Sequence, residues 1–95
     1  MKPIIALRIR EAWKSLMPRK PIKEKETVLK YLRNGKDTAA YAGIAKDILT
    51  GEEIPGQWLL LSDGVFEWST DEIYYFEKYN IKLEDEFIEY VLKKQ

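Results

Sequence analysis

Four carboxylates lie close together in the sequence, with side chains that can act on a substrate or hold an ion. They are Asp63, Glu67, Asp71 and Glu72. A pair of carboxyl groups can divide acid and base roles, and carboxylate oxygens bind hard cations such as Mg²⁺ or Ca²⁺. Each of the four also fits a structural task, in a turn, on a strand or at a helix start. No nucleophile with a base at a recognisable spacing accompanies them, so the pattern favours structure over catalysis.

The chain contains no cysteine and no histidine. Thiol nucleophiles, disulfides and Cys-ligated metals are therefore excluded, and the commonest general base and transition-metal ligand is missing. We expect no catalytic residues, no metal and no cofactor. A carboxylate-based enzyme is the least favoured alternative.

The acidic and aromatic side chains in the C-terminal part of the chain favour a binding surface over a catalytic site. Tyr74 and Tyr75 are adjacent on a predicted helix, where they flank its apolar stripe and cannot both be fully buried on it. Aromatic side chains with a polar end are favoured at protein interfaces, although a tyrosine at the edge of the core explains the pattern equally well. The predicted partner-binding residues are Glu67, Asp71, Tyr74 and Tyr75.

Charge is divided between the two parts of the chain. Residues 1–36 carry eleven Lys and Arg against three Glu, a net charge of +8, and residues 37–95 carry five Lys against thirteen Asp and Glu, a net charge of −8. The acidic part suits a basic protein partner, and the basic part suits nucleic acid or an anionic membrane surface. The two parts can also neutralise each other within one molecule or a homo-oligomer.

The basic alternative rests on two predicted N-terminal helices. Residues 3–17 have an apolar stripe through Ile5, Ile9 and Leu16, and residues 22–33 form a second amphipathic helix after a stiff Pro-rich connector. The second helix offers lysines that contact phosphate without reading base sequence, so nucleic acid is a less favoured partner. The residues for this alternative are Arg10, Lys14, Arg19, Lys20 and Lys23.

A β-hairpin organises the rest of the chain. Asp63-Gly64 separates two β-prone runs at 58–61 and 65–68, and this dipeptide is a strong hairpin signal because Gly adopts positive φ without strain. A lone hairpin is marginal in water, so residues 38–42 are a candidate third strand. Residues 47–51 are predicted to form a turn in which Asp47 or Thr50 bonds local backbone.

Two C-terminal helices follow the hairpin. Ser69 and Glu72 have the spacing of a capping box, which predicts a helix over residues 70–79 with Asn80 as its left-handed cap. A last helix is predicted over residues 84–94, with acidic residues in its first turn and lysines in its last.

The closing part of the chain resembles a group of small uncharacterised bacterial proteins. The pattern runs through residues 63–91 as an Asp-Gly turn, a tryptophan, a short helix with a Tyr pair and a Lys-Tyr ending, a leucine and a second helix. Residues 47–56 fit it as well, whereas Glu84 stands where the pattern has a proline. The resemblance covers roughly the C-terminal half and implies a fold, with no activity attached. Some of these proteins lie near toxin or secretion genes.

The sequence therefore predicts one soluble α+β domain over residues 1–95. About four helices pack on a small antiparallel sheet of two or three strands, in the order α-α-(β)-β-β-α-α. The predicted function is a non-enzymatic protein-interaction domain, with an inhibitor or immunity-like neutraliser as one form of it. No apolar run reaches the roughly 20 residues of a membrane span, so the expected location is the cytoplasm.

Overall fold

A computed structural model of the chain describes residues 2–5 and 20–94. The described part contains three helices, α1 (Lys25–Arg33), α2 (Thr70–Tyr79) and α3 (Asp85–Lys93). Its four strands are β1 (Lys2–Pro3), β2 (Lys36–Ala40), β3 (Leu59–Ser62) and β4 (Phe66–Ser69). They form one sheet in the order β1-β4-β3-β2.

The sheet is mixed, whereas the sequence predicted an antiparallel one. The hairpin β3–β4 and the pair β2–β3 are antiparallel, but β1 lies parallel to β4, with Lys2 opposite Phe66. Pro3 is tolerated in β1 because the strand is at the sheet edge, where a missing backbone N–H breaks no ladder. The predicted start of a helix at Pro3 is therefore wrong, and residues 6–19 of that predicted helix lie outside the described residues.

The predicted α+β class is confirmed, with differences in detail. The predicted helix over 70–79 has the observed bounds, and Asn80 caps it in the left-handed conformation at φ 57°. The last helix begins one residue later than predicted, and α1 begins at Lys25 instead of residue 22. The candidate third strand forms as β2, which begins two residues earlier, at Lys36.

The core lies between the sheet and the helices α1 and α3. Phe66 and Trp68 point to this side of β4, and the Phe87 ring of α3 is 5.1 Å and 5.7 Å from them, centroid to centroid. Trp68 also donates its indole N–H to the Leu32 carbonyl at 3.0 Å, so the buried polar atom is satisfied. The aromatic contacts thus join the hairpin to both helices.

The position of Gly35, shortly after α1, requires a glycine because the Trp68 side chain approaches its backbone closely. A Cβ at this position would lie 2.6 Å from Cζ2 of Trp68, a distance that real Cβ atoms do not reach. Gly35 is not among the glycines that adopt a positive φ, so backbone freedom is not what this position needs. The small size of Gly35 is what the fold requires.

Candidate interaction surface

A buried carboxylate, Asp47, anchors the long segment of residues 41–58 that joins β2 to β3. Only 1% of Asp47 is exposed. Its Oδ1 accepts the backbone N–H groups of Leu49 at 2.7 Å and Thr50 at 3.2 Å. Its Oδ2 accepts the hydroxyls of Tyr74 and Tyr79, both at 2.7 Å. The predicted turn is thus confirmed, and the same side chain ties the turn to α2.

These hydrogen bonds decide the acidity of the Asp47 carboxyl. Burial alone raises its pKa, but the two tyrosine hydroxyls and the two backbone amides outweigh burial and lower the pKa to about 2. Lys78 Nζ adds a favourable charge 3.7 Å from Oδ2. A carboxylate that accepts four hydrogen bonds and stays ionised serves as a structural anchor and has little capacity to exchange protons near neutral pH.

Tyr75 lies in the core, with 2% of its surface exposed. Its hydroxyl accepts the Ile48 N–H at 3.0 Å and donates to the Lys46 carbonyl at 3.2 Å. Tyr74 is half-buried with its hydroxyl on Asp47. Of the two tyrosines predicted to bind a partner, Tyr75 therefore offers almost no contact area, and both hold the 41–58 segment against α2.

The anchored segment exposes apolar side chains. Six large apolar residues are exposed in the described part of the chain, and four of them lie between residues 41 and 49. These loop side chains are Tyr41, Ile44, Ile48 and Leu49, and Ile44 is the most exposed at 59%. Monomeric proteins rarely concentrate large apolar side chains on their surface unless the site binds something.

Carboxylates lie near the first of these loop side chains. The pKa of Tyr41 is raised by partial burial and then by the negative charges of Asp71, Glu72 and Glu67, so these charges act on its hydroxyl. The Tyr41 ring also lies 4.9 Å from the Trp58 ring, centroid to centroid. The predicted partner residues Glu67 and Asp71 thus lie within electrostatic range of an exposed aromatic side chain.

Glu72, the third of these carboxylates, has a raised pKa. Burial raises its pKa to about 7, and the neighbouring charge of Asp71 adds to the rise. The Ser69 hydroxyl donates to both Asp71 and Glu72 and makes no bond to the helix backbone. The predicted capping box is therefore wrong in its serine half, because the serine hydroxyl serves the two carboxylates instead.

The structure places the remaining predicted residues elsewhere. Lys20 and Lys23 are exposed ahead of α1, and Arg10, Lys14 and Arg19 lie outside the described residues. Asp63 is in the hairpin turn, where its Oδ1 accepts two backbone N–H groups. Within residues 2–5 and 20–94, no group of three or more potential ligands is arranged to hold a metal ion. None of the helices in this part has the length and apolar character that crossing a membrane requires.

The sequence missed the loop side chains as a candidate surface. Ile44, Ile48 and Leu49 have neither a strand nor a helix period, so their pattern gave no direction to their side chains. The Asp-to-Thr turn spacing indicated a local role for Asp47 and carried no sign of its tyrosine partners, which are 27 and 32 residues away.

Comparisons with protein-family models, curated proteins and solved structures find no match for the chain. The resemblance of its C-terminal half to small bacterial proteins stays a prediction.

Proposed function

We propose that the chain is a non-enzymatic protein-interaction domain that binds a basic protein partner. The proposed interaction surface consists of the loop side chains Tyr41, Ile44, Ile48 and Leu49 with the carboxylates Glu67 and Asp71. The observation that carries the proposal is the concentration of exposed apolar side chains on a segment fixed by the buried Asp47.

The anchoring favours binding because it reduces the entropy lost on association. A mobile loop must be ordered when a partner binds, and fixing the backbone of one residue costs roughly 1–2 kcal/mol. Here Asp47 and Tyr75 already hold the loop backbone at four amide or carbonyl groups, those of Lys46, Ile48, Leu49 and Thr50. The exposed apolar side chains are thus presented on a fixed backbone.

The carboxylates supply the charge preference. Interfaces commonly combine an apolar centre with a polar rim, and complementary charges on the rim steer the approach of the correct partner. Glu67 and Asp71 are partly exposed, lie within electrostatic range of Tyr41, and form no ion pair with a described residue. Their charge is available for a basic partner, and neutralising such a partner is one form that this function takes.

The test begins with capture of proteins from a nuclease-treated lysate on the immobilised chain, followed by titration with the purified partner. Ile44→Asp and Leu49→Asp should each weaken binding about tenfold or more, because they place a charge in the apolar centre. Ile22→Asp is the matched control, since Ile22 is similarly exposed but lies outside the interaction surface. Glu67→Lys should slow association and reduce its dependence on salt.

Two results would contradict the proposal. The first is a partner whose affinity is unchanged in both loop variants or equally reduced in the Ile22 control. The second is retention of nucleic acid in the untreated lysate, lost in Lys20→Gln and Lys23→Gln, with no protein retained. That second result would favour the nucleic-acid alternative.

A further inference from the structure

A cleft of 710 Å³ lies beside α1, away from the proposed interaction surface. One wall is the helix face formed by Thr27, Lys30, Tyr31 and Asn34, which follow the i, i+3, i+4, i+7 spacing of a single face. The opposite side of α1 carries the buried Val28, Leu29 and Leu32. The cleft is therefore bounded by the polar face of an amphipathic helix, a face that the sequence alone assigns to solvent.

The other walls come from the sheet. Strand β2 contributes Lys36 and Thr38, which are two residues apart, and the hairpin turn contributes Asp63 and Gly64. The Tyr31 hydroxyl donates to Asp63 Oδ2 at 2.5 Å, which ties α1 to the hairpin turn. The volume falls within the range of about 300–1,000 Å³ that is typical of small-molecule sites.

The lining of the cleft contains two lysines whose ammonium groups have no partner among the described residues. Asp63 accepts the Tyr31 hydroxyl and the N–H groups of Val65 and Phe66, so its oxygens are already engaged. Lys30 and Lys36 form no ion pair or side-chain hydrogen bond with the described residues. Two ammonium groups thus border a cleft in which Asp63, the one carboxylate among its described lining residues, is held by other donors.

We propose that this cleft binds a small organic anion, with a carboxylate or phosphate group held between Lys30 and Lys36. The Tyr31 ring, the threonine methyl groups and the lysine stems form apolar wall area, which suits a compact apolar or aromatic body attached to the anionic group. This site is independent of the proposed protein-interaction surface, since the two share no residue.

The experiment is an NMR titration of the ¹⁵N-labelled chain with four probes: phenyl phosphate, benzoate, inorganic phosphate and phenol. Phenyl phosphate or benzoate should shift the amide signals of Gly35, Lys36 and Gly64 in a saturable way, and the tighter of the two identifies the anionic group. Inorganic phosphate and phenol each lack one half of the ligand and should bind about tenfold more weakly or worse.

Variants locate the site. Lys30→Gln and Lys36→Gln should each weaken binding of the better probe by about tenfold, and Thr27→Trp should block it by filling the cleft. Lys82→Gln is the matched control, because Lys82 is an exposed lysine outside the cleft. Thermal denaturation checks that each variant is folded.

The proposal is overturned if no probe gives saturable shifts at these amides, or if inorganic phosphate binds as tightly as the aromatic anions. It is also overturned if a folded Thr27→Trp variant, or both folded single variants Lys30→Gln and Lys36→Gln, bind the probe as tightly as the parent chain.

Discussion

Two carboxyl groups near α2 have their pKa values shifted in opposite directions because their surroundings differ. Asp47 is buried but accepts four hydrogen bonds, so its charged form is favoured and its pKa falls to about 2. Oε1 of Glu72 accepts a hydrogen bond from the Ser69 hydroxyl, whereas no described residue donates a hydrogen bond to its buried Oε2. Burial and the charge of Asp71 then raise the pKa of Glu72 to about 7.

The raised pKa of Glu72 predicts that stability declines as the pH rises from about 4.5 to about 7. The folded protein keeps a proton on Glu72 between its unfolded pKa of 4.5 and its folded pKa of about 7, and the unfolded protein releases it. The contribution to the free energy of unfolding is therefore fully present below pH 4.5 and is lost as the pH rises through 7.

Glu72→Gln removes this titration and retains a side chain suited to the first turn of α2. We expect the variant to exceed the parent chain in free energy of unfolding at pH 8 by about 1–3 kcal/mol, with a smaller gain at pH 5. Urea denaturation at both pH values measures the difference. Glu89→Gln, on an exposed residue of α3, is the control, and the same pH profile in all three proteins would refute the prediction.

At the scale of elements, the segment 41–58 is long for a connection between adjacent strands. Loops beyond about 12–15 residues are uncommon in small domains and are often functional. Its regular structure is limited, within the described residues, to one bridge between Lys46 and Glu53. Other hydrogen bonds take the place of a strand ladder in this segment. Asp47 of the loop accepts two tyrosine hydroxyls of α2, and the Tyr75 hydroxyl of α2 bonds the loop backbone.

Asp47→Ala should therefore loosen the whole segment. Two tyrosine hydroxyls and two backbone amides lose their acceptor, and we expect the free energy of unfolding to fall by about 2–4 kcal/mol. Amide hydrogen exchange at residues 46–50 should rise at the same time. Asp37→Ala, at an exposed position of β2, should change the free energy of unfolding by less than about 0.5 kcal/mol.

The Asp47→Ala variant also tests how Asp47 contributes to the free energy of unfolding at low pH. Because the folded pKa of Asp47 is below its unfolded value of 3.8, its contribution is present above pH 3.8 and is lost as the pH falls towards 2. The difference between Asp47→Ala and the parent chain should thus narrow at low pH. A difference that stays constant from pH 6 to pH 2 would mean that the ionised carboxylate is not the stabilising form.

At the scale of the whole molecule, the basic and acidic parts of the chain are in contact. Arg33 of α1 pairs with Glu77 of α2, and Lys2 of β1 pairs with Glu86 of α3. Both pairs are exposed, so each contributes only about 0–1 kcal/mol. The apolar core therefore holds the two parts together, and the opposite charges add little to it.

The residue that follows the N-terminal strand β1 is part of that core, although β1 itself is exposed. Ile4 is fully buried, and its carbonyl accepts the Glu84 N–H at 2.8 Å, just before α3. Ile4→Ala should lower the free energy of unfolding by about 2–4 kcal/mol through the cavity it leaves. Ile22→Ala, at an exposed isoleucine, should cost less than about 1 kcal/mol in the same urea denaturation. Equal costs for the two variants would mean that the burial of Ile4 does not stabilise the domain.

The sequence by itself determined the elements that depend on near neighbours. The Asp63-Gly64 hairpin, the bounds of α2 and the left-handed cap at Asn80 follow from turn and helix preferences that act over a few residues. The buried stripe of α1, Val28, Leu29 and Leu32, follows from the helical period in the same way. Glu67 and Asp71, chosen from the sequence for their charge, are partly exposed, and their role in binding a partner stays a prediction.

Only the tertiary structure decided what lies opposite these elements. It joins Lys2 to Phe66 in a parallel pair, sets Gly35 against Trp68, places Tyr75 in the core and brings Asp47 to Tyr74 and Tyr79. These residues are far apart in the chain, and local preferences carry no information about which distant partner fills a given position. Side chains that a periodic pattern assigns to solvent or to a turn thus become an anchor, a cleft wall or part of the core once the chain folds back on itself.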